Sequence, residues 1–251
     1  MRIKIEFTSS KNIVLEKGFL RQIQGMIYSL LNKHSANWLH EKGFKYEKRS
    51  FKLFTFSSIL ERGQYEKKHG IFIFPKKISF YVSSPVNWIL EQVAQNFVVS
   101  ENFRIGPNNI SISSISVLKM PNISERIIVK AITPISIRST FLSEGKKYFH
   151  TYSPLDPKFE ELINKNAKKK WLAFYGETCP YSLSIKPIFK NDKKYKRVIY
   201  YGNINNKKTI IEGWVGNYLL CGNTEFLKFA YDSGLGERNS QGFGLIEITD
   251  N

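Results

Sequence analysis

The chain has few cysteines, few histidines, few acids and no long apolar run. Its two cysteines, Cys179 and Cys221, lie far apart and match no zinc or redox spacing. That excludes a disulfide framework and a zinc ribbon, and the pair reads as reduced core thiols of a cytoplasmic protein. No apolar stretch approaches the ~20 residues that a membrane-spanning helix needs. The N-terminus, Met1-Arg-Ile-Lys-Ile-Glu-Phe7, alternates charged and apolar residues as a strand does, not as a signal peptide does. The 4 histidines form no H-x-x-x-H pair; His34 and His40 are six apart and share no helical face, and no dense carboxylate cluster occurs. No metal site and no cofactor are therefore expected. Both G-x-G-x-x-G and Gly-Lys-Ser/Thr are missing, which argues against a dehydrogenase and an NTPase.

Against 21 Asp+Glu stand 38 Lys+Arg, for a net charge of +17. An excess of that size points to nucleic acid or an anionic membrane. The basic residues are dispersed, as in Lys45 to Lys52, Lys76-Lys77, Lys146-Lys147, Lys168-Lys169-Lys170 and Lys193 to Arg197. Any one such run reads as a solvated face; the net excess is what that reading leaves over. The Lys165 to Lys170 run sits on a helix-like segment without a clean face of bulky apolar residues, which disfavours a membrane-surface helix. Hydrophobic content of 42% and aromatic content of 14% are ample for a packed core and exclude a disordered chain.

Periodicity places a strand at 2–7, a helix at 17–31, a short helix at 35–41, strands at 52–58 and 71–83 (the latter broken at Pro75), a helix at 86–97 and a strand-rich stretch at 103–118. This is β-α-β-β-α-β, the ferredoxin-like order. The second half repeats it. A strand at 126–132 is followed by a Pro/Ser/Gly-containing insertion to Pro154 and a helix at 158–175. Strands follow at 182–189 and 197–215, the latter a hairpin turning at Asn203–Asn206; a helix at 224–232 and a strand at 243–249 complete it. The expected fold class is α+β, two tandem ferredoxin-like domains at 1–121 and 122–251. RNA-recognition modules are built on this topology.

Four glycines fall within eleven residues in Gly234-Leu-Gly236-Glu-Arg-Asn-Ser-Gln-Gly242-Phe-Gly244. Such a loop can bring backbone N–H groups close to an anion. It lies after a helix and before a strand, the reverse of a Rossmann or Walker loop. The loop reads as a phosphate-binding edge formed by Gly234, Gly236, Gly242 and Gly244, with Arg238, Ser240 and Gln241 as its polar side chains. The plainer alternative is a surface loop with a helix-ending glycine.

This signature before a last strand resembles that of the repeat-associated RNA-binding superfamily. Gln24-Gly-Met-Ile-Tyr28, Trp38-Leu-His40-Glu and Lys52-Leu-Phe-Thr-Phe-Ser57 narrow the resemblance to the sixth CRISPR-associated protein family, the repeat-processing endoribonucleases. It extends over essentially the whole chain. It implies two tandem ferredoxin-like folds and metal-independent cutting within the repeats of CRISPR precursor RNA by 2′-hydroxyl attack, in antiviral defence. It also implies a catalytic group of Tyr28, His40 and Lys52. One departure is the Lys/Arg-rich insertion of eleven residues, Glu41 to Phe51, between His40 and Lys52.

The chemistry is consistent with those residue types. Internal cleavage needs a group to take the 2′-hydroxyl proton, one to protonate the departing 5′-oxygen, and positive charge on the transition state. An imidazole, with an ordinary pKa of about 6.5, suits proton transfer; a lysine supplies charge; a tyrosine donates or orients. Read from the residues alone, each also has a structural role open to it. Tyr28 lies at the edge of the apolar stripe of Leu20, Ile23, Ile27 and Leu31, and His40 is near a helix end. Lys52 shares strand parity with Phe54 and Phe56, which is unusual for a core-facing lysine. His69 and His150 read as surface histidines. Two other functions stay open: a non-catalytic subunit holding guide RNA in an effector complex, and a general RNA binder. Monomer and homodimer are both open.

Overall fold

A computed structural model of the protein describes residues 1–99, 103–204 and 207–249. The first half runs β1 (Arg2–Thr8), β2 (Ile13–Glu16), α1 (Leu20–Ser29), α2 (Lys33–Glu41), β3 (Phe44–Tyr46), β4 (Arg49–Phe51), β5 (Thr55–Phe56), β6 (Gln64–Glu66), β7 (Ile71–Phe74), β8 (Lys77–Ser83), α3 (Asn87–Val99), β9 (Phe103–Ile105) and β10 (Asn108–Leu118). The second runs β11 (Arg126–Ile135), β12 (Arg138–Ser143), β13 (Lys146–Thr151), α4 (Pro157–Tyr175), β14 (Leu183–Pro187), β15 (Lys196–Ile204), β16 (Lys207–Gly222), α5 (Thr224–Ser233) and β17 (Ile246–Ile248).

The main sheet of the first half has the order β5-β8-β1-β10-β9, and that of the second β14-β16-β11-β17, with β15 paired to β16. Counting the four strands of each β-α-β-β-α-β unit, both orders are 2-3-1-4 with every pair antiparallel. These are tandem ferredoxin-like folds, and the strand order carries the repetition that sequence identity between the halves does not.

Local patterning explains the layers. In β1, Ile3, Ile5 and Phe7 are buried, while the outward Lys4 pairs with Glu6 at 2.7 Å. Helix α1 buries Leu20, Ile23 and Ile27 at helical spacing. Helix α4 starts on an Asp156 cap whose side chain accepts from the Lys158 N–H, with Pro157 at its first turn. It buries Phe159, Ile163, Asn166, Ala167 and Lys170 along one face.

Several expectations need correcting. The strand placed at 52–58 shortens to Thr55–Phe56, because Leu53 takes a left-handed φ of 51° and breaks it. The segment at 71–83 is two strands in different sheets: β7 pairs with β2 and β6, whereas β8 pairs with β1 and β5. Pro75, between them, has no N–H for a ladder. The insertion before Pro154 folds as the β12–β13 hairpin. The β15–β16 hairpin is paired out to Ile204 and Lys207; Asn205 and Asn206 of its expected turn lie outside the described residues. Both cysteines are free, but only Cys179 is buried. Among the described residues no helix is long and apolar enough to cross a membrane.

Buried polar links join the halves. The Arg2 guanidinium donates to the Ile246 carbonyl at 2.9 Å and lies 4.0 Å over the Tyr231 ring. The α-amino group of Met1 pairs with Asp232 at 2.6 Å. The Thr55 hydroxyl donates to the Phe243 carbonyl at 2.9 Å.

Candidate active site

Tyr28, His40 and Lys52 come from three different segments and converge at His40, Tyr28 at its ring and Lys52 at its backbone carbonyl. Tyr28 is half-buried on α1, its ring edge-on to His40 (centroids 5.8 Å apart) and to Phe54 (5.8 Å). Burial pushes its hydroxyl up to about 12, so at neutral pH Tyr28 is an O–H donor and not a base. His40 occupies the last turn of α2, which is capped at its start by the Asn32 side chain accepting from Ser35 N–H at 2.8 Å. Leu39 is buried and turns the exposed imidazole the other way.

The insertion between His40 and Lys52 folds as the β3–β4 hairpin and returns the chain to the end of α2. Gly43, at φ 58°, makes the reversal; a Cβ there would stand 2.6 Å from the Phe51 carbonyl oxygen. The Ser50 hydroxyl donates to the Lys42 carbonyl across this junction. Lys52 Nζ then donates to the His40 carbonyl at 2.7 Å and to Ser50 Oγ at 3.2 Å. It caps the helix C-terminus as a cation should. Partial burial lowers its pKa. Lys52 therefore sits in the loop before β5 and not on a strand face; Leu53, Phe54, Thr55 and Phe56 are all buried, so strand parity does not apply here. The hairpin is braced from the second half, with Phe44 against Phe174 (5.8 Å) and Lys169 over the Tyr46 ring (5.3 Å).

Lys52 lines a cleft of about 720 Å³ between the halves; Tyr28 and His40 are not among its lining residues, and His40 is tied to it through the hydrogen bond from Lys52 to the His40 carbonyl. Five further cations line the same cleft (Arg49, Arg138, Lys165, Lys169 and Arg238), with the buried amine of Lys170 in its wall, against one acid, Glu237. Glu237 holds Arg138 at 2.9 Å, and burial raises its pKa.

The glycine loop forms one wall. Gly236, Arg238, Ser240 and Gln241 line the cleft. The Arg238 guanidinium donates to Gln241 Oε1 at 2.8 Å, and its backbone is left-handed at φ 61°. Gly234, Gly242 and Gly244 are buried and absent from the lining. At Gly244 (φ 74°) a Cβ would lie 1.9 Å from the Leu235 carbonyl oxygen, so the loop closes on itself only with glycine there. Two residues that sequence reasoning passed over hold the loop. Buried Asn239 donates to the carbonyls of Leu235 and Phe243, each at 3.0 Å. Lys170 donates to the Gly234 carbonyl at 2.8 Å. Lys170 is 2% exposed, unlike a solvated run, and burial lowers its amine to about 7. The helical spacing Phe159, Ile163, Ala167 would have pointed to its burial.

Among the described residues no group of three or more His, Cys, Asp or Glu comes together to hold a metal ion. His69 pairs with Glu66 on the surface, and His150 is exposed.

The family model for the C-terminal part of CRISPR associated protein Cas6 matches residues 118–248. The chain belongs to the Cas6 family of CRISPR-associated endoribonucleases. Over 247 residues it is 29% identical to a Methanocaldococcus jannaschii protein named CRISPR-associated endoribonuclease Cas6 1, covering 98% of this chain and 92% of that one. Over 199 residues it is 30% identical to a Pyrococcus furiosus Cas6 protein named endoribonuclease-like, covering 78% of each. A solved structure of CRISPR associated protein Cas6 superposes with a TM-score of 0.77 at 26% identity, over 100% of this chain and 99% of that one. In this Cas6 chain the glycine loop and Lys52 line the same cleft.

Proposed function

We propose that this Cas6 protein cuts the repeats of CRISPR precursor RNA without metal, by internal transesterification, with Tyr28, His40 and Lys52 as its catalytic group. The 2′-hydroxyl loses its proton as its oxygen bonds to the adjacent phosphorus. The P–O5′ bond breaks, and the departing oxygen takes a proton. The products are a 2′,3′-cyclic phosphate and a 5′-hydroxyl. His40, the exposed imidazole, moves the proton. Tyr28, held as O–H, donates to the phosphate or the departing oxygen. Lys52 stabilises the transition-state charge; an arriving phosphate would raise the pKa that burial lowers.

One observation carries this reading: the β3–β4 hairpin returns Lys52 to the carbonyl of His40, whose ring meets that of Tyr28, and Lys52 in turn lines a cleft with five other exposed or half-buried cations and one acid. The halves that form the cleft correspond to domains at 1–121 and 122–251. Within the loop, Arg238, Ser240 and Gln241, with the Gly236 backbone, contact the RNA; Gly234, Gly242 and Gly244 act by shaping that wall.

His40→Ala tests the assignment. It should lose cleavage by about 10²–10⁴-fold while repeat binding persists; equal rates for variant and parent would remove His40 from the mechanism. A second reading, an RNA-binding subunit that does not cut, draws on the 30% identity to a protein named only endoribonuclease-like. It predicts a repeat RNA that binds and stays intact.

A further inference from the structure

The β12–β13 hairpin is a separate two-stranded sheet that leaves the cleft and projects from the fold. Its register ends at Ser143 opposite Lys146, and the two turn residues, Glu144 (φ 51°) and Gly145 (φ 72°), have the positive φ of a type I′ turn. A lone two-stranded ribbon is marginal in water. This one nonetheless exposes large apolar side chains: Leu142 is 70% and Phe149 57% exposed.

Strand alternation puts Arg138, Thr140 and Leu142 of β12 on one face with Lys147 and Phe149 of β13, Phe149 lying directly opposite Thr140. Arg138 and Thr140, at the root of that face, line the cleft. The Arg138 guanidinium is fixed by Glu237 and lies 4.4 Å over the Phe149 ring. The hairpin's charges are Arg138, Lys146 and Lys147 against Glu144. An exposed aromatic ring on a cationic ribbon is the combination that single-stranded nucleic acid takes, bases stacking and phosphates pairing.

We propose that the Arg138–Phe149 face is a stacking arm for single-stranded RNA leaving the cleft. This rests on the reading that the cleft holds RNA. The occupant is RNA because the face is continuous with the cationic cleft and shares its sign of charge.

The test uses full-length protein carrying His40→Ala to keep the RNA intact. The probe is a fluorescein-labelled RNA of one repeat from the CRISPR array of the source genome, followed by anisotropy over a salt series. Phe149→Ala should weaken binding about 5- to 150-fold, the range of one base–aromatic stack, with an unchanged salt slope and melting temperature. Phe149→Tyr, which keeps the ring, should restore the parental Kd. The pair Lys165→Ala/Lys169→Ala should instead flatten the slope by up to about 1.4, at roughly 0.7 per lost phosphate contact. If that pair weakens binding and Phe149→Ala does not, the arm is overturned and the cleft stands; a protein-docking face would give this result. If neither weakens binding, or the parent does not bind, both readings are overturned. A loss of affinity accompanied by a lower melting temperature also overturns the arm.

Discussion

Lys170 gives the sharpest test of how the cleft wall is built. Its ammonium is buried beneath the glycine loop, with the Gly234 carbonyl as its hydrogen-bond partner, and its pKa falls from 10.5 to about 7. The unfolded chain holds a proton on this amine up to pH 10.5 and the folded chain only up to about 7. Stability therefore rises with pH across that window. The full effect is on the order of 5 kcal/mol, from about 1.4 kcal/mol per pH unit. Lys170→Met keeps the stem's volume and removes the titration, but leaves the Gly234 carbonyl unpaired at a cost of about 1–3 kcal/mol. The variant should thus match or exceed the parent's stability at pH 6 and fall below it at pH 10. Thermal unfolding of both proteins from pH 6 to 10 would show the curves crossing, their separation changing on the order of 10 °C at roughly 2–4 °C per kcal/mol. Parallel curves would refute the buried, neutralised lysine.

Asn239→Ala should cost about 1–3 kcal/mol in chemical denaturation, because the Phe243 carbonyl keeps Thr55 while the Leu235 carbonyl loses this side-chain donor. Gly244→Ala should cost about 3–5 kcal/mol from overlap plus left-handed strain. Gly145→Ala, equally left-handed but with nothing within 4 Å, should cost only about 1–2 kcal/mol in the same assay. Tyr28→Phe keeps the ring contacts with His40 and Phe54, so single-turnover cleavage should slow by about 10²-fold or more with melting temperature and Kd unchanged; an unchanged rate would show that the hydroxyl takes no part.

The ferredoxin-like order could be read from the sequence because it is written in local periodicity: Ile3, Ile5, Phe7 for a strand, Leu20, Ile23, Ile27 for a helix. Tyr28, His40 and Lys52 could be named in the same way, but not their convergence at His40. That depends on a hairpin whose strands are only three residues long and on a left-handed Gly43. The glycine loop was visible, yet its pattern pointed to an exposed phosphate-binding edge, whereas all four of its glycines are buried where side chains would collide. Asn239 was overlooked because its role depends on carbonyls four residues away on either side. The β12–β13 hairpin was obscured by the Pro, Ser and Gly around it, which read as loop.

The most direct test of the proposed chemistry incubates end-labelled repeat RNA with the protein in EDTA, in parallel with RNA carrying a single 2′-deoxy ribose just before the cut. One discrete cut in EDTA, lost on the 2′-deoxy strand and ending in a 2′,3′-cyclic phosphate, is the predicted result. Cleavage that needs added divalent metal, or that persists on the 2′-deoxy strand, would contradict it.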